Sequence, residues 1–509
     1  MRIVAGTAAA ISFVLLASCG GGGSDGNAIG GTSIGLAASS SLAQVCAAPR
    51  PSGTVDPFTR RAYGDIQGTL ADEKTFLRSW IDETYLWYQD VRALPAATLD
   101  AGGYATTIDY FKALKTPLTT VSGKPKDQFH FTYPTPTWVA LAQSGVSFGY
   151  GFELAFLSRT VNRSAVVALV QANTPAATAG IARGAALVAV DGTDFVTGAK
   201  DPINAGLFPT VAGTHTLTIR DLGASADRTV TLTAQAITSM PVQNVKTLPA
   251  PNANVGYMLF NDHIATSEAQ LVNGIAALKA AGVTDLVLDI RYNGGGFLDI
   301  AAELAYMVAG PTQTAGKFFE RLSFNDRNPF NQSTAAATTG FLATSQGFSS
   351  SLASGTALPT LSLSRVYVLT SGDTCSASEA IINGLRGAGV TVNIVGEQTC
   401  GKPYGFYPRD NCNTTYFAIN FVGVNNLGFG DYADGFTPTC AVADDFTHAL
   451  GDPAENQLEV ALGLRKTGVC TAPVAAAPGM LVKRLVDGVA TPVLIRSPLR
   501  ENRLYRAHL

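Results

Sequence analysis

Three short runs constrain the fold more than anything else in the chain: DLVLDI (285–290), RVYVLTS (365–371) and VTVNIVGE (390–397). Each is largely apolar, too short for a core helix, and followed by small or glycine-rich residues. A strand that is apolar on both faces needs cover on both, which a parallel sheet between helices provides. Helical spacing is clear in EAQLVNGIAALKAAG, where Leu271, Ile275 and Leu278 share one face. Ser267 and Gln270 read as a capping box that opens this helix. Residues 239–471 are therefore expected to form an α/β domain with a partly parallel sheet. Residues 320–360, rich in Ser, Thr, Ala and Gly, read as a long surface excursion.

A chain of 509 residues exceeds a single core, so further domains are expected upstream. Residues 139–238 change texture to short β-rich runs punctuated by glycine. SFGYGFELAF alternates, and AVVALVQANTPAATAGIARGAALVAVDGTDF reads as strand, short helix, strand and an Asp191-Gly192 turn. HTLTIRD and RTVTLTAQ follow as alternating strands. Residues 56–138 read as mostly helical. There Leu77, Trp80, Ile81, Thr84 and Tyr88 fall on one face, as a core stripe or, less simply, the wall of a substrate groove.

The N-terminus reads as an address. Arg2, a short apolar run and LASC describe a secretory signal over residues 1–19, too short to span a bilayer of ~30 Å as a stable helix. The LASC ending resembles the bacterial lipoprotein processing box, which makes Cys19 the lipidated residue. Residues 20–55 then form a flexible tether, and by resemblance Gly20 after the cysteine points to the outer membrane. Six further cysteines (46, 375, 400, 412, 440 and 470) are an even number, compatible with three disulfides in an exported protein. No Cys-x-x-Cys or Cys/His spacing suggests a metal site, and no cofactor is implied. A net charge of −3 without a basic cluster argues against nucleic acid as a partner. The tail 472–509 is linker-like, then short and basic.

An α/β sheet usually carries its site at strand ends, and three segments lie there. DIRYNGGG (289–296) has consecutive glycines that let backbone amides approach a ligand, without the Gly-Lys-Ser/Thr of a phosphate loop. SGDTCSASEA (371–380) puts Ser376 at a helix start, where amides and the macrodipole favour a developing negative charge. GEQTCGKPYG (396–405) carries Lys402. A serine needs a base, no Asp/His pair sits at a recognisable spacing, and a buried lysine can take the proton.

In this order DIRYNGGG, TCSASEAIINGL and VNIVGEQTCGK resemble the C-terminal processing (tail-specific) serine peptidases, whose core is a ClpP/crotonase-like α/β fold. The resemblance covers about 145–465, and it implies Ser376 as nucleophile, Lys402 as general base, and amides of Ala377 and of Gly295 or Gly296 as oxyanion donors. Residues 139–238, with Pro175-Ala176, Ala179-Gly180, Gly184 and Asp191-Gly192, resemble a PDZ domain. Such a domain takes a substrate's C-terminus by strand addition, here with its loop at Phe148, Gly149, Tyr150, Gly151 and Phe152. The resemblance implies a serine endopeptidase acting on exported or misfolded proteins, with protein or peptide substrates, lipid-anchored on the periplasmic side.

Two departures stand out. Ser376 and Lys402 are 26 residues apart, one more than the family pattern, and Phe406 stands where many members carry a Gln that orients the lysine. Ser378 is expected to help cap the helix, Glu379 to act as a charge in its first turn, and Asp289 and Arg291 to tie the structure below the glycines. Cys375 is expected to pair with Cys400, stapling the two halves of the dyad. His263 as a base in a wider triad, Cys375 as a nucleophile, and a catalytically weak peptide- or ligand-binding scaffold are the alternatives.

Overall fold

The three apolar runs are strands Asp285–Asp289, Arg365–Thr370 and Thr391–Gly396, paired in parallel in one six-stranded sheet. The computed structural model describes residues 35–56, 60–140, 142, 145–158, 162–209, 211–330, 333–473, 493–495 and 503–504. From one edge the sheet runs Val242–Thr247, Val255–Phe260, the three central strands, then Cys440–Ala441; only the first is antiparallel. The continuous apolar character has a simple cause. Leu286, Leu288, Val366, Val368, Val392 and Ile394 face one side, against helices Ser267–Ala280, Leu298–Thr314 and Ala377–Gly387. Val287, Tyr367, Leu369 and Val395 face the other, against helix Asn456–Thr467 and the inner side chains Ala155, Val166 and Ala168 of the β-rich region. Alternate residues thus enter two different cores, each fully buried large side chain contributing about 1.5–3 kcal/mol.

The β-rich region is built around an antiparallel sheet in the order Arg228–Thr233, Thr214–Arg220, Ala186–Val190, Ser164–Val170, Phe152–Ser158, with Val493–Ile495 on its last edge. The Asp191-Gly192 turn is present, with φ of +47° and +75°. Both central residues are left-handed, as a two-residue hairpin of this type requires. Its own core gathers Leu154, Phe156, Val167, Leu187, Val190, Phe195, Leu217 and Ile219.

The amphipathic N-terminal stretch does not make one continuous helix. Leu70–Thr84 is helical, opened by a Thr69/Asp72 capping box, and the chain turns extended at Tyr85 before Tyr88–Arg92. The break is held by the α/β domain. Side-chain amides of Asn325, Asn328 and Asn420 donate to the carbonyls of residues 83–85, and Leu86 N–H donates to Ile419 O at 2.8 Å. These donors satisfy carbonyls that a helix end leaves without intrahelical partners. The stripe is a core face: Leu77, Trp80, Ile81, Thr84 and Tyr88 are all buried.

Two other expectations change. Ser267 and Gln270 form no capping box: Ser267 Oγ donates to Ile264 O, and Gln270 Oε1 accepts from Val242 N–H on the neighbouring strand. Residues 320–360 are not only a surface excursion. Phe318–Phe324 and Thr338–Gly340 belong to a four-stranded antiparallel sheet with Phe421–Val424 and Tyr404–Gly405, and Leu322, Ala337 and Leu358 are buried. That sheet fixes the strand just beyond Lys402. The described residues from Ala38 onward belong to one compact unit, and among the described residues no helix is long and apolar enough to cross a membrane.

Candidate active site

The loops after the three central strands converge. Ser376 is the residue before helix Ala377–Gly387 and has φ +60° and ψ −115°. A left-handed non-glycine residue costs about 1–3 kcal/mol and persists only where its surroundings hold it. They do so here from both sides. Cys375 N–H donates to Asn293 O at 3.0 Å, Thr374 Oγ1 to Ile290 O at 3.0 Å, and Ser378 Oγ to Asn293 O at 2.9 Å. Ser378 therefore fastens the helix start to the glycine loop and does not cap the helix. Ser376 is fully buried, and its Oγ has no hydrogen-bond partner among the described residues.

Asn293 organises the glycine loop. Its side-chain amide donates to Phe260 O at 2.9 Å, while its Oδ1 accepts from Gly295 N–H at 3.0 Å and from His263 Nδ1 at 2.9 Å. The Gly295 amide is thus engaged inside the loop, which leaves Gly296 of the two glycines expected as donors. Gly296 has φ +140°, and a Cβ there would meet His263 O at 2.4 Å, so only glycine fits. Burial pushes the His263 imidazole down to about 3, which keeps it neutral and a weak base. His263 acts here as a prop for the glycine loop.

Glu379 has a larger part than a first-turn charge. Its Oε2 accepts from Ser376 N–H at 2.9 Å and Lys402 N–H at 2.8 Å; its Oε1 accepts from Gly401 N–H at 2.9 Å and Thr399 Oγ1 at 2.6 Å. One buried carboxylate therefore sets the backbone of Ser376 against that of Lys402. Burial raises the Glu379 carboxyl above its ordinary range, against the pull of these four donors. A disulfide between Cys375 and Cys400, Cα–Cα 5.3 Å, makes the same link covalently, as expected. Cys375, Glu379 and Cys400 cluster closely enough to suggest a metal site, but both sulfurs are committed to each other. For the same reason Cys375 has no thiol with which to attack.

Lys402 is fully buried, and its Nζ lies 4.4 Å from the Phe129 ring centre and 4.5 Å from that of Phe406. The ring of Phe406 thus supports the lysine where the family pattern has an amide. Phe129 comes from the N-terminal region and carried no signal in the sequence. Its loop is fixed by Asp127, which accepts from Phe129 N–H at 2.9 Å, Tyr85 Oη at 2.6 Å and His130 Nδ1 at 3.2 Å. Burial pushes the Asp127 carboxyl up, but these bonds prevail and hold it below the usual range.

Beneath the loop, Arg291 is fully buried and bonds Asp289, Glu455 and Asp444. Asp289 and Arg291 are structural ties, as expected. Arg183 of the β-rich region joins the cluster through Asp444 at 2.7 Å and Tyr292 Oη at 2.5 Å. In that region Phe148 and Gly149 lie in strand Val146–Gly149. Tyr150 O accepts from Ala176 N–H, Gly151 O accepts from Gln171 N–H, and Phe152 opens the edge strand. Disulfides Cys46–Cys412 and Cys440–Cys470 complete the set of three. Cys19 lies outside the described residues, as does nearly all of 474–509.

Residues 254–408, which hold Asn293, the glycine loop, Ser376 and Lys402, match the model for Peptidase family S41. The carboxyl-terminal-processing protease of Synechocystis sp. is 26% identical over 231 residues, 45% of this chain and 48% of that protein. Its namesake from Picosynechococcus sp. is 29% identical over 131 residues, 26% of this chain and 31% of that protein. The chain thus spans about half the length of the first relative and about a third of the second. The solved "Putative S41 protease from Bacteroides fragilis NCTC 9343" superposes with a TM-score of 0.60 at 23% identity, over 80% of this chain and 99% of that one, which shows a shared fold. The chain contains a peptidase family S41 domain and is homologous to the carboxyl-terminal-processing proteases.

Proposed function

We propose that this protein is an exported, lipid-anchored serine endopeptidase that captures extended C-termini on its β-rich, PDZ-like domain and cleaves with a Ser376/Lys402 dyad. The observation that carries the reading is the double tie between Ser376 and Lys402: one carboxylate accepting both backbone amides, and one disulfide between the flanking residues. Such over-determination is what a strained nucleophile needs to keep a productive geometry.

Neutral Lys402 takes the Ser376 hydroxyl proton as Oγ attacks the scissile carbonyl carbon. The tetrahedral oxyanion accepts from the amides of Gly296 and Ala377; the latter, as the first helical amide, has no intrahelical acceptor. The C–N bond then breaks, the leaving amine takes the proton from Lys402, and an ester to Ser376 remains. Water attacks the ester, Lys402 accepts its proton and returns it to Oγ, and the acid is released. Export to an oxidising compartment fits the three disulfides.

One observation favours the second reading, a peptide-binding scaffold on the same fold. Two aromatic faces attract a cation, and a lysine held as the cation takes no proton from serine. Degradation of a denatured protein by wild type, Ser376→Ala, Lys402→Ala and His263→Ala separates the two. The protease reading expects loss of activity in the first two variants, with a phosphonate label on Ser376. Unchanged cleavage by Ser376→Ala refutes it, and absence of both cleavage and labelling in wild type selects the scaffold.

A further inference from the structure

Two short strands of the C-terminal segment lie where a peptide substrate would be taken. Val493–Ile495 pairs antiparallel with Phe152–Ser158, in the register Val493↔Phe156, Leu494↔Ala155, Ile495↔Leu154. Phe152–Ser158 is the last strand of its own sheet and directly follows the 148–152 loop. The added strand runs toward that loop, in the sense in which strand addition lays down an extended peptide.

Eight residues on, Arg503–Leu504 pairs in parallel with Gly296–Phe297, in the register Gly296↔Arg503 and Phe297↔Leu504. It also lies beside Tyr404–Gly405, the strand just past Lys402. The direction of the Gly296 amide follows from its other neighbour. His263 N–H donates to Gly295 O at 3.1 Å, and Phe297 N–H donates to His263 O at 2.8 Å. Backbone groups of successive residues in an extended chain point to opposite sides. The Gly296 N–H therefore points away from His263, toward the edge along which 503–504 runs. The glycine amide assigned to the oxyanion and the added strand are on the same side.

The sequence of the segment suits both positions. Pro492 and Pro498 flank VLIRS, and the residue before each proline is biased toward extended backbone. From 480 onward there are six Lys/Arg against two Asp/Glu, although the whole chain has a net charge of −3. A basic segment thus docks on an acidic body.

We propose that the strands Val493–Ile495 and Arg503–Leu504 are an internal peptide ligand of this protein, bound by strand addition at Phe152–Ser158 and along the glycine loop, and that they compete with substrate at both edges. Recognition is by backbone pairing, so the same edges accept extended peptides of varied sequence. The competition at the glycine loop rests on the Ser376 reading above; the docking itself does not.

The test compares the full chain with a chain stopped after Pro473, which keeps Cys470 and its disulfide. Two full-length variants, Ile495→Pro and Leu504→Pro, each remove a strand donor and keep the proposal testable if the shortened chain does not fold. Hydrogen exchange of the amides of Leu154, Phe156 and Gly296 is expected to speed up at least tenfold in the shortened chain. The rate of degrading a denatured protein is expected to rise at least fivefold, and a synthetic 488–509 peptide is expected to inhibit competitively. Equal exchange in both chains overturns the docking, and equal degradation with faster exchange overturns the competition. Faster exchange in a shortened chain that neither cleaves nor takes the phosphonate label leaves the docking standing and overturns the protease reading.

Discussion

Glu379→Gln probes whether one carboxylate sets Ser376 against Lys402. The change replaces one oxygen by an NH2 group, and all four acceptor bonds at this site come from buried donors. The NH2 costs least on the Thr399 side, because a hydroxyl can turn and accept. Gly401 N–H then faces a donor at what was a 2.9 Å bond, while Ser376 and Lys402 keep an oxygen. An unpaired buried N–H and weaker bonds to a neutral acceptor together cost about 2–4 kcal/mol. The expected result is a folded protein with a lower urea midpoint and, on the function proposed above, proteolysis slowed about 10- to 100-fold by a small displacement of Ser376 against Lys402. Glu379→Ala, by contrast, leaves four donors unpaired at a cost of about 4–12 kcal/mol, comparable with the stability of a whole domain, and is expected not to fold. A Gln variant with the wild-type midpoint and the wild-type rate would refute the reasoning, since the carboxylate would then register nothing.

Two further outcomes follow from the same geometry. The Cys375–Cys400 bridge closes a loop with a sequence separation of 25, so replacing both cysteines by Ala is expected to cost about 3.5 kcal/mol in unfolded-chain entropy, read from urea unfolding; a free thiol at either position by intact mass would contradict the bridge. Burial, and then the charge of Glu268, pushes the Glu303 carboxyl from 4.5 up to about 10, so the folded chain keeps a proton that the unfolded chain releases. That contribution is complete below about pH 4.5 and is lost as pH rises toward about 10; Glu303→Gln is expected to flatten the decline in urea midpoint between about pH 5 and pH 9, and an unchanged slope would count against it.

What could be read from the sequence was whatever is local and periodic. The central strands announced themselves because each alternates between two cores, so Val287 and Leu288 are both apolar for different neighbours. The segments carrying Ser376, Lys402 and the glycine loop were legible as ordered motifs. Distant partners were not. The helix break at Tyr85 depends on asparagines more than two hundred residues away, and the cradle of Lys402 depends on Phe129 from the N-terminal region. Ser378 looked like a cap because serine caps helices often, and only the approach of Asn293 O redirects its hydroxyl. Gly295 and Gly296 are indistinguishable in a string of glycines; the side chain of Asn293 separates them by occupying one amide. The strand Phe318–Phe324 was hidden because its partner Phe421–Val424 lies about a hundred residues further along the chain.

The bridge between Cys46 and Cys412, with a sequence separation of 366, makes most of the molecule a covalent ring. The five strands of the β-rich sheet between Phe152 and Thr233, Ser376 and Lys402 lie inside it. A single backbone cut anywhere between the two cysteines opens the ring without releasing a fragment, and packing can hold the new ends in register. A protein that meets peptidases thereby keeps its parts together through a first nick. The nicked form would migrate as one species until the bridge is reduced.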